Sequence, residues 1–453
     1  MAMDGGMPET QERFPAMAMD GRYAGNAGAI AGDAMDGRHD GHGGWYAGSL
    51  ALALQTPADT PTSLWVEMQE QFLAVIMSGR FEDPLALQTP GGHSHIPVGR
   101  KRNAGAGWPD FSIRTGFSMT IRHFLSTQDW SRAELDALLD QAAVFKRSKA
   151  GRELAGKSIA LLFFNPSMRT RSSFELGAFQ LGGHAIVLAP GKDAWPIEFD
   201  VGAVMDGEAE EHVAEVARVL SRYVDLIGVR AFPKFQDWSI DREDRVIHAF
   251  AKYATVPVIN METITHPCQE LAHVQALQER FGKDLRGRKY VLTWTYHPRP
   301  LNTAVANSAL QIATRYGMDV TLLCPTPDYL LDSRYMDFAR RNVVENGGSL
   351  TISHDPQQAY RGAHVVYAKS WGALPYFGHW ADEKPIRDAH KHFIVDEAKM
   401  ALTDHGVFSH CLPLRRNVKA TDAVMDSPAC IAIDEAENRL HVQKAIMTAL
   451  ANP

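Results

Sequence analysis

Two arginines stand two residues apart directly behind an apolar run: Ser158-Ile-Ala-Leu-Leu-Phe-Phe164 is followed by Asn-Pro-Ser167-Met168-Arg169-Thr170-Arg171. Guanidinium groups crowded at such a junction repel one another unless an anion lies between them. A helix starting here exposes free backbone N–H groups and the positive end of its dipole. Ser167 can cap it, Thr170 adds a hydroxyl, and an arginine can hold an oxyanion through two parallel N–H bonds. Phosphate or a carboxylate suits that arrangement. An ordinary capped helix with solvated arginines is the competing reading. No G-x-x-x-x-G-K-[ST] or G-x-G-x-x-G precedes a helix, so a nucleotide is not the evident ligand.

Further candidates recur at the ends of other apolar runs. GVRAF (228–232) ends one on Arg230, where a solvated arginine is out of place and either a ligand or a structural ion pair explains it. METITHPCQE (261–270) supplies Glu262, His266 and Gln269. His266 and Gln269 are three apart and share a face if a helix starts at Pro267; His266 can then donate to a carbonyl or phosphate oxygen, or simply cap the helix. In SHCLPLRRN (409–417), Cys411-Leu412-Pro413 suggests a bent backbone with carbonyls facing a ligand, and Arg415 and Arg416 add charge. Nothing in the sequence pairs Cys411 with a base, which argues against covalent catalysis. AKSWGALPYFG (368–378) reads as a mobile loop carrying Lys369, or simply as a long connection.

These residues need elements to position them. From Met119 onward, short apolar runs alternate with amphipathic stretches. The runs predict strands at 158–164, 185–189, 225–231, 256–260, 289–293, 320–325, 363–368, 407–410 and 430–433. A helix is predicted within LSTQDWSRAELDALLDQAAVFKRS (125–148), which opens with a Ser/Thr/Asp-rich cap region, and further helices near Ser167, Glu210, Asp241, Pro267, Asn302, Asp328 and Glu435,. Strand–helix alternation means an α/β protein with doubly wound parallel sheets, and nine strands exceed one comfortable sheet. Two lobes are expected, 119–266 and 267–434, with a last helix over 435–451 packing back on the first. In such folds ligands collect at the carboxyl ends of strands, where the candidates fall.

The first 118 residues differ. They are rich in Gly, Ala, Met and Asp, and Ala-Met-Asp-Gly recurs at 2–5, 18–21 and 34–37. Units so short and Gly-bearing cannot bury a shared core. The composition predicts a disordered extension or upstream sequence read from an early start codon. Its start lacks the basic and apolar regions of a secretory signal. His39, His42, His93 and His95 have no supporting residues that would make them a metal site. Over the whole chain the net charge is −7 with 22% charged residues, which gives no footprint for nucleic acid,. No apolar run approaches the roughly 20 residues of a membrane span. Cys268, Cys324, Cys411 and Cys430 are scattered without C-x-x-C spacing, which disfavours zinc or a disulfide framework and fits a cytoplasmic, reducing compartment,.

Phe-x-x-x-Ser167-x-Arg169-Thr170-Arg171, His266-Pro267-x-Gln269 and His410-Cys411-Leu412-Pro413, in this order, resemble the transcarbamylases. That resemblance covers the chain from about His123 onward. It implies two α/β lobes of transcarbamylase type, a homotrimer, and transfer of a carbamoyl group from carbamoyl phosphate to an amine without metal or other cofactor. Ornithine and aspartate members usually carry Ser-Thr-Arg-Thr-Arg; here Met168 replaces the first threonine. The Ser-Met-Gly loop of ornithine members and the His-Pro-Leu-Pro of aspartate members are absent. SMRTR, KDAWPIEF, VMDG, LTWTYHP, AKSWGALP and HCLPLRRNVKATD instead resemble the branch acting on N-acetylornithine in arginine biosynthesis, with succinylornithine, then ornithine, as the alternative acceptors.

Carried over residue by residue, the resemblance implies that Ser167, Met168, Arg169, Thr170, Arg230, His266, Gln269 and Arg439 hold carbamoyl phosphate, with carbonyls at Cys411 and Leu412 accepting from its NH₂. Trp195 would reach a neighbouring subunit's site. Glu262, Lys369 and Leu412 would bind the acylated ornithine, with Asn302 and Arg415 as additions. Lys419 matches a lysine that is carboxylated in this branch; as sequence alone it reads as a surface lysine. Glu210, five residues after Met205, matches the position where an acidic residue accompanies acetyl and proline accompanies succinyl. A carboxylate in the pocket wall would repel the carboxylate of a succinyl group.

Overall fold

The computed structural model describes residues 121–452. The expectations for residues 1–118, including those for His39, His42, His93 and His95, lie outside the described residues. The first long helix, α1 (Arg132–Arg147), starts on a reciprocal cap: Ser131 Oγ accepts from the Glu134 N–H, and the Glu134 carboxylate accepts from the Ser131 N–H,. Its apolar residues Leu135, Leu138, Leu139, Ala142 and Phe145 recur at helical spacing and are all buried,.

Two parallel sheets follow. The first contains β1 (Ser158–Phe163), β2 (His184–Leu188), β5 (Leu226–Arg230) and β6 (Val258–Glu262), in the order β2-β1-β5-β6. Between β2 and β5 the chain makes a small two-stranded ribbon, β3 (Ile197–Glu198) with β4 (Glu211–His212). The second sheet contains β7 (Lys289–Trp294), β8 (Asp319–Leu323), β9 (Ser349–Ser353), β10 (Val365–Lys369) and β11 (Val407–Ser409), in the order β11-β10-β7-β8-β9. Its central strands are apolar on both faces because helices cover both,. In the first sheet a Cβ on Gly228 would lie 2.9 Å from Met261 Sδ and 3.0 Å from Leu161 Cδ2, so the close packing there needs a glycine,.

Register sets the geometry that matters. Phe163 of β1 pairs with Arg230 of β5, and Arg230 pairs with Glu262 of β6 across a local irregularity. Three strand ends therefore stand side by side at one edge. In the second sheet Lys369 pairs with Trp294 in the same way. Strand order reverses between β1 and β5 and again between β7 and β10, which are the positions where open α/β sheets leave a crevice.

The helices used below are α2 (Met168–Gln180), α3 (Val213–Tyr223), α4 (Arg245–Tyr253), α5 (Pro267–Phe281), α6 (Ala304–Arg315), α7 (Ser333–Asn346) and α8 (Ala432–Ala451). The C-terminal α8 packs against α1, α2 and α5.

Several expectations are corrected. Residues 430–433 are not a strand: Cys430 makes one isolated bridge to Phe408, and α8 begins at Ala432 with Ile433 exposed. The short apolar run there is the start of a helix whose period appears only further on. The ninth strand is β9, which apolar runs could not reveal, because an edge strand of sequence SLTIS is mostly solvated,. The helix expected near Glu210 starts at Val213, since residues 211–212 pair with β3 and His212 Nδ1 accepts from the Ala214 N–H. The one expected near Asp241 splits into a single turn, Trp238–Asp241, and α4, separated by Asp244 in the left-handed region at φ 49°. Near Asp328 a 3₁₀ turn, Pro327–Tyr329, precedes α7.

Candidate active site

A cleft of about 660 Å³ opens between the carboxyl edges of the two sheets. Fourteen predicted residues line it: Ser167, Arg169, Thr170, Arg230, Glu262, His266, Gln269, Asn302, Lys369, Cys411, Leu412, Arg415, Lys419 and Arg439. One end is cationic. Ser167 caps α2 by accepting from the Thr170 N–H at 3.1 Å, leaving the Met168 and Arg169 N–H groups at an uncovered helix start,. The Met168 side chain is 74% exposed and does not line the cleft, so only its backbone can contribute there.

Thr170 Oγ1 accepts from Arg439 Nη2 at 2.7 Å and from Arg230 Nη1 at 3.5 Å. Arg230 also pairs with the Glu262 carboxylate, and His266 Nε2 lies 3.6 Å from that same carboxylate. Of the three guanidiniums here, Arg230 is the one paired with Glu262, whose charge also acts on nearby Arg169 and Arg439. The Nε atoms of Arg169, Arg230 and Arg439 and the Nδ1 of His266 are buried and have no partner among the described residues. Burial, with adjacent Arg230, pulls Arg169 below the usual arginine range; burial and Arg439 hold His266 well below the usual imidazole value,. His266 is therefore neutral at physiological pH and suited to donating or accepting a hydrogen bond rather than carrying charge.

The other end belongs to the second sheet. Lys369, the last residue of β10, points Nζ at Cys411 Sγ, 3.4 Å away. After β11 the chain turns sharply: the Leu412 N–H donates to His410 Nδ1 at 2.8 Å, Leu412 has φ 53°, and Leu412-Pro413 is cis. Asn302 is held by its Nδ2 donating to Thr263 O at 2.7 Å and its Oδ1 accepting from the Ala304 N–H at 3.1 Å.

Lys419 is buried, not a surface lysine. Burial, with Lys369 and Arg415 nearby, brings its pKa down to about 7. The 368–378 segment is packed rather than loose: Trp371 is buried, its Nε1 donating to Tyr329 O at 2.9 Å, and Phe377 stacks on Phe235.

Two predicted residues stand elsewhere. Trp195 is 65% exposed and Glu210 is exposed, and neither lines this cleft. They flank a stretch in which Val201, Val204 and Met205 are exposed too. Conversely, the cleft contains residues that motif reading passed over: Phe232, Phe235, His297, Arg299, Leu301 and Leu414. His297, held by Arg299 O at 2.7 Å and brought by burial to a pKa of about 4, lies three residues past the end of β7. The strand-end rule applied to that apolar run would have found it.

Among the described residues no group of three or more His, Cys, Asp or Glu could hold a metal ion, and no helix is long and apolar enough to cross a membrane.

A cationic pocket at the switch point of one parallel sheet, facing a second sheet's switch point across a cleft, is the layout of a two-substrate transferase. The chain belongs to the aspartate/ornithine carbamoyltransferase family: residues 122–279 match its carbamoyl-P binding domain and residues 293–450 its Asp/Orn binding domain. Within that family it is 81% identical over 335 residues to N-acetylornithine carbamoyltransferase of Xanthomonas axonopodis pv. citri, a match covering 74% of this chain and 98% of that one. The enzyme of the same name from Xylella fastidiosa strain Temecula1 is 76% identical over 335 residues, covering 74% and 100%. A crystal structure of acetylornithine transcarbamylase complexed with acetylcitrulline superimposes with a TM-score of 0.72 at 81% identity, covering 73% of this chain and 99% of that one.

Proposed function

We propose that this enzyme transfers the carbamoyl group of carbamoyl phosphate to the δ-amine of N2-acetyl-L-ornithine, giving N-acetyl-L-citrulline and phosphate in arginine biosynthesis. The observation that carries this reading is the cluster of Arg169, Arg230 and Arg439 around Thr170, with Glu262 the one carboxylate lining the cleft among the described residues, an excess of positive charge that suits a phosphate dianion,. The acceptor half follows from 81% identity to N-acetylornithine carbamoyltransferase. We assign carbamoyl phosphate to the lobe 119–266 and the acceptor to the lobe 267–434.

The chemistry is acyl transfer. The neutral δ-amine adds to the carbamoyl carbon, charge gathers on the carbonyl oxygen, and the C–O bond to phosphate breaks. Donors from Arg169, Thr170, Arg230 and His266 stabilise that charge, on the order of 3–4 kcal/mol for one well-placed donor. Departing phosphate takes the proton from the added amine, so no separate base is required, and His266 is a poor one because its pKa is depressed. Glu262, Lys369, Asn302, Arg415 and Leu412 hold the acetylornithine. The backbone carbonyls of the Cys411–Leu412 turn accept from the carbamoyl NH₂.

The near-neutral, buried amine of Lys419 is the form that adds carbon dioxide, which supports its being carboxylated. The exposed Trp195, Val201, Val204, Met205 and Glu210 support a homotrimer with shared sites, in which this stretch reaches the neighbour and Glu210 selects acetyl over succinyl,. Unpaired cysteines fit a cytoplasmic enzyme,.

The test is carbamoyl transfer by purified protein to N-acetylornithine, N-succinylornithine, ornithine and aspartate. Product from N-acetylornithine alone is expected. Preference for the succinyl compound would keep the chemistry and overturn the role of Glu210.

A further inference from the structure

Glu435 does not line the cleft, yet its carboxylate gathers four donors in the interior. Oε1 accepts from Gln269 Nε2 and from Tyr367 OH at 3.1 Å; Oε2 accepts from Ser409 Oγ and lies 2.8 Å from His273 Nδ1. His273 in turn contacts Tyr290 OH through Nε2 at 3.0 Å. Glu435 is fully buried; its partners come from α5, β10 and β11, and Tyr290, which backs His273, from β7.

An ionised carboxylate can only accept, so whatever faces it must donate. Although burial opposes charge, His273 and the hydroxyl and amide donors hold Glu435 below the usual carboxylate range. Gln269 must therefore present its NH₂ to Glu435. Its Oε1 is then the atom left over, and that oxygen is buried and without a partner among the described residues while the residue lines the cleft. A lone amide flips easily and would offer a donor or an acceptor with little preference. Here one side chain removes the choice. The other end of the same carboxylate holds Ser409, two residues before Cys411, whose carbonyl faces the same substrate group on the reading above.

We propose that Glu435 is a positioning residue: it locks the Gln269 amide with Oε1 toward the cleft, so that the site accepts hydrogen bonds from the carbamoyl NH₂ and discriminates it from a methyl group of the same size. This rests on the carbamoyl phosphate reading of the cleft. Acetyl phosphate, which carries CH₃ where carbamoyl phosphate carries NH₂, separates positioning from general damage to the site.

The experiment uses the full chain and measures kcat and KM for carbamoyl phosphate, with the inhibition constant of acetyl phosphate, for wild type, Glu435→Gln and Glu435→Asp. An amide at 435 can donate or accept and frees Gln269 to turn. The aspartate keeps the charge for His273 and Ser409 but withdraws from Gln269, and so serves if the glutamine variant fails to fold. In a folded variant, KM for carbamoyl phosphate should rise about tenfold, a loss of roughly one good hydrogen bond, while acetyl phosphate inhibition changes less than twofold. Parallel weakening of both ligands, or no change in either, would overturn the proposal. Wild-type protein that neither uses carbamoyl phosphate nor binds it would instead refute the functional reading beneath it.

Discussion

Replacing Thr170 by valine keeps the shape of the side chain and removes one hydroxyl at the centre of the cationic end. Both guanidinium contacts, from Arg439 Nη2 at 2.7 Å and Arg230 Nη1 at 3.5 Å, fall on the hydroxyl's lone pairs. Its proton is therefore free to point into the cleft toward phosphate. A hydrogen bond to a charged group contributes about 1.5–3 kcal/mol, so kcat/KM for carbamoyl phosphate should fall about 10- to 150-fold. The unliganded fold should weaken as well, because Arg439 Nη2 loses its acceptor in a buried place, a cost of about 1–3 kcal/mol. Phosphate can supply the missing acceptor, so that part of the loss should shrink at saturating inorganic phosphate. Steady-state rates over a carbamoyl phosphate series, with thermal melts with and without phosphate, read both effects. Thr170→Ser should restore most of each. A valine variant within twofold of wild type in kcat/KM would refute the placement of phosphate at the start of α2.

Other outcomes follow from the same geometry. Mixing Arg169→Ala with Trp195→Ala chains, each expected to be inactive, and allowing subunits to exchange should regain a fraction of activity if sites are shared between copies. Mixtures as inactive as their parents would show that Trp195 serves its own chain. Lys419 gives a pH dependence of definite sign. Its folded pKa of about 7 lies below the ordinary 10.5, so the buried cation costs most below pH 7, and stability rises with pH between these values until the cost vanishes,. Relative to wild type in CO₂-depleted buffer, Lys419→Met should thus be more stable at pH 7, by up to about 4 kcal/mol, and should lose that advantage toward pH 10. A pH-independent difference in denaturant titrations would mean that the wild-type lysine is not a free buried amine.

Much of the candidate cleft was legible because charged residues that line it sit where apolar runs stop. Arg169, Arg230, Glu262 and Lys369 each lie at or just past a strand end, and a parallel strand buried on both faces prints itself as a continuous apolar run,. Arg439 carries no such mark. It lies on α8 and reaches Thr170 from 269 residues away in sequence, so only the resemblance pointed to it. Glu435 was invisible for the same reason, since an acidic residue in the first turn of a helix reads as a favourable dipole contact,. The edge strand β9 and the false strand at 430–433 failed for a different cause: solvation erases the apolar signal in one, and a helix start imitates it in the other.

The C-terminal helix, foreseen as an element but not as a source of site residues, is also the one that completes the site. The first sheet brings Ser167, Arg169, Thr170, Arg230 and Glu262 to one edge, and the second brings Lys369 and the Cys411–Leu412 turn to another. Neither edge alone can hold a phosphate and orient an amine. Only α8, folding back from the C-terminus onto α1, α2 and α5, adds the third guanidinium and the carboxylate that orders Gln269. Orientation of two substrates is effective only when both halves of a cleft are held in one geometry. Because α8 also carries core residues such as Val442, Ile446 and Met447, its contribution to the site is separated from its packing by substitution and not by truncation. Arg439→Met together with Glu435→Gln, in a chain whose melt shows it folded, should bind phosphate weakly and lose transfer; transfer rates near wild type would refute the role given to this helix.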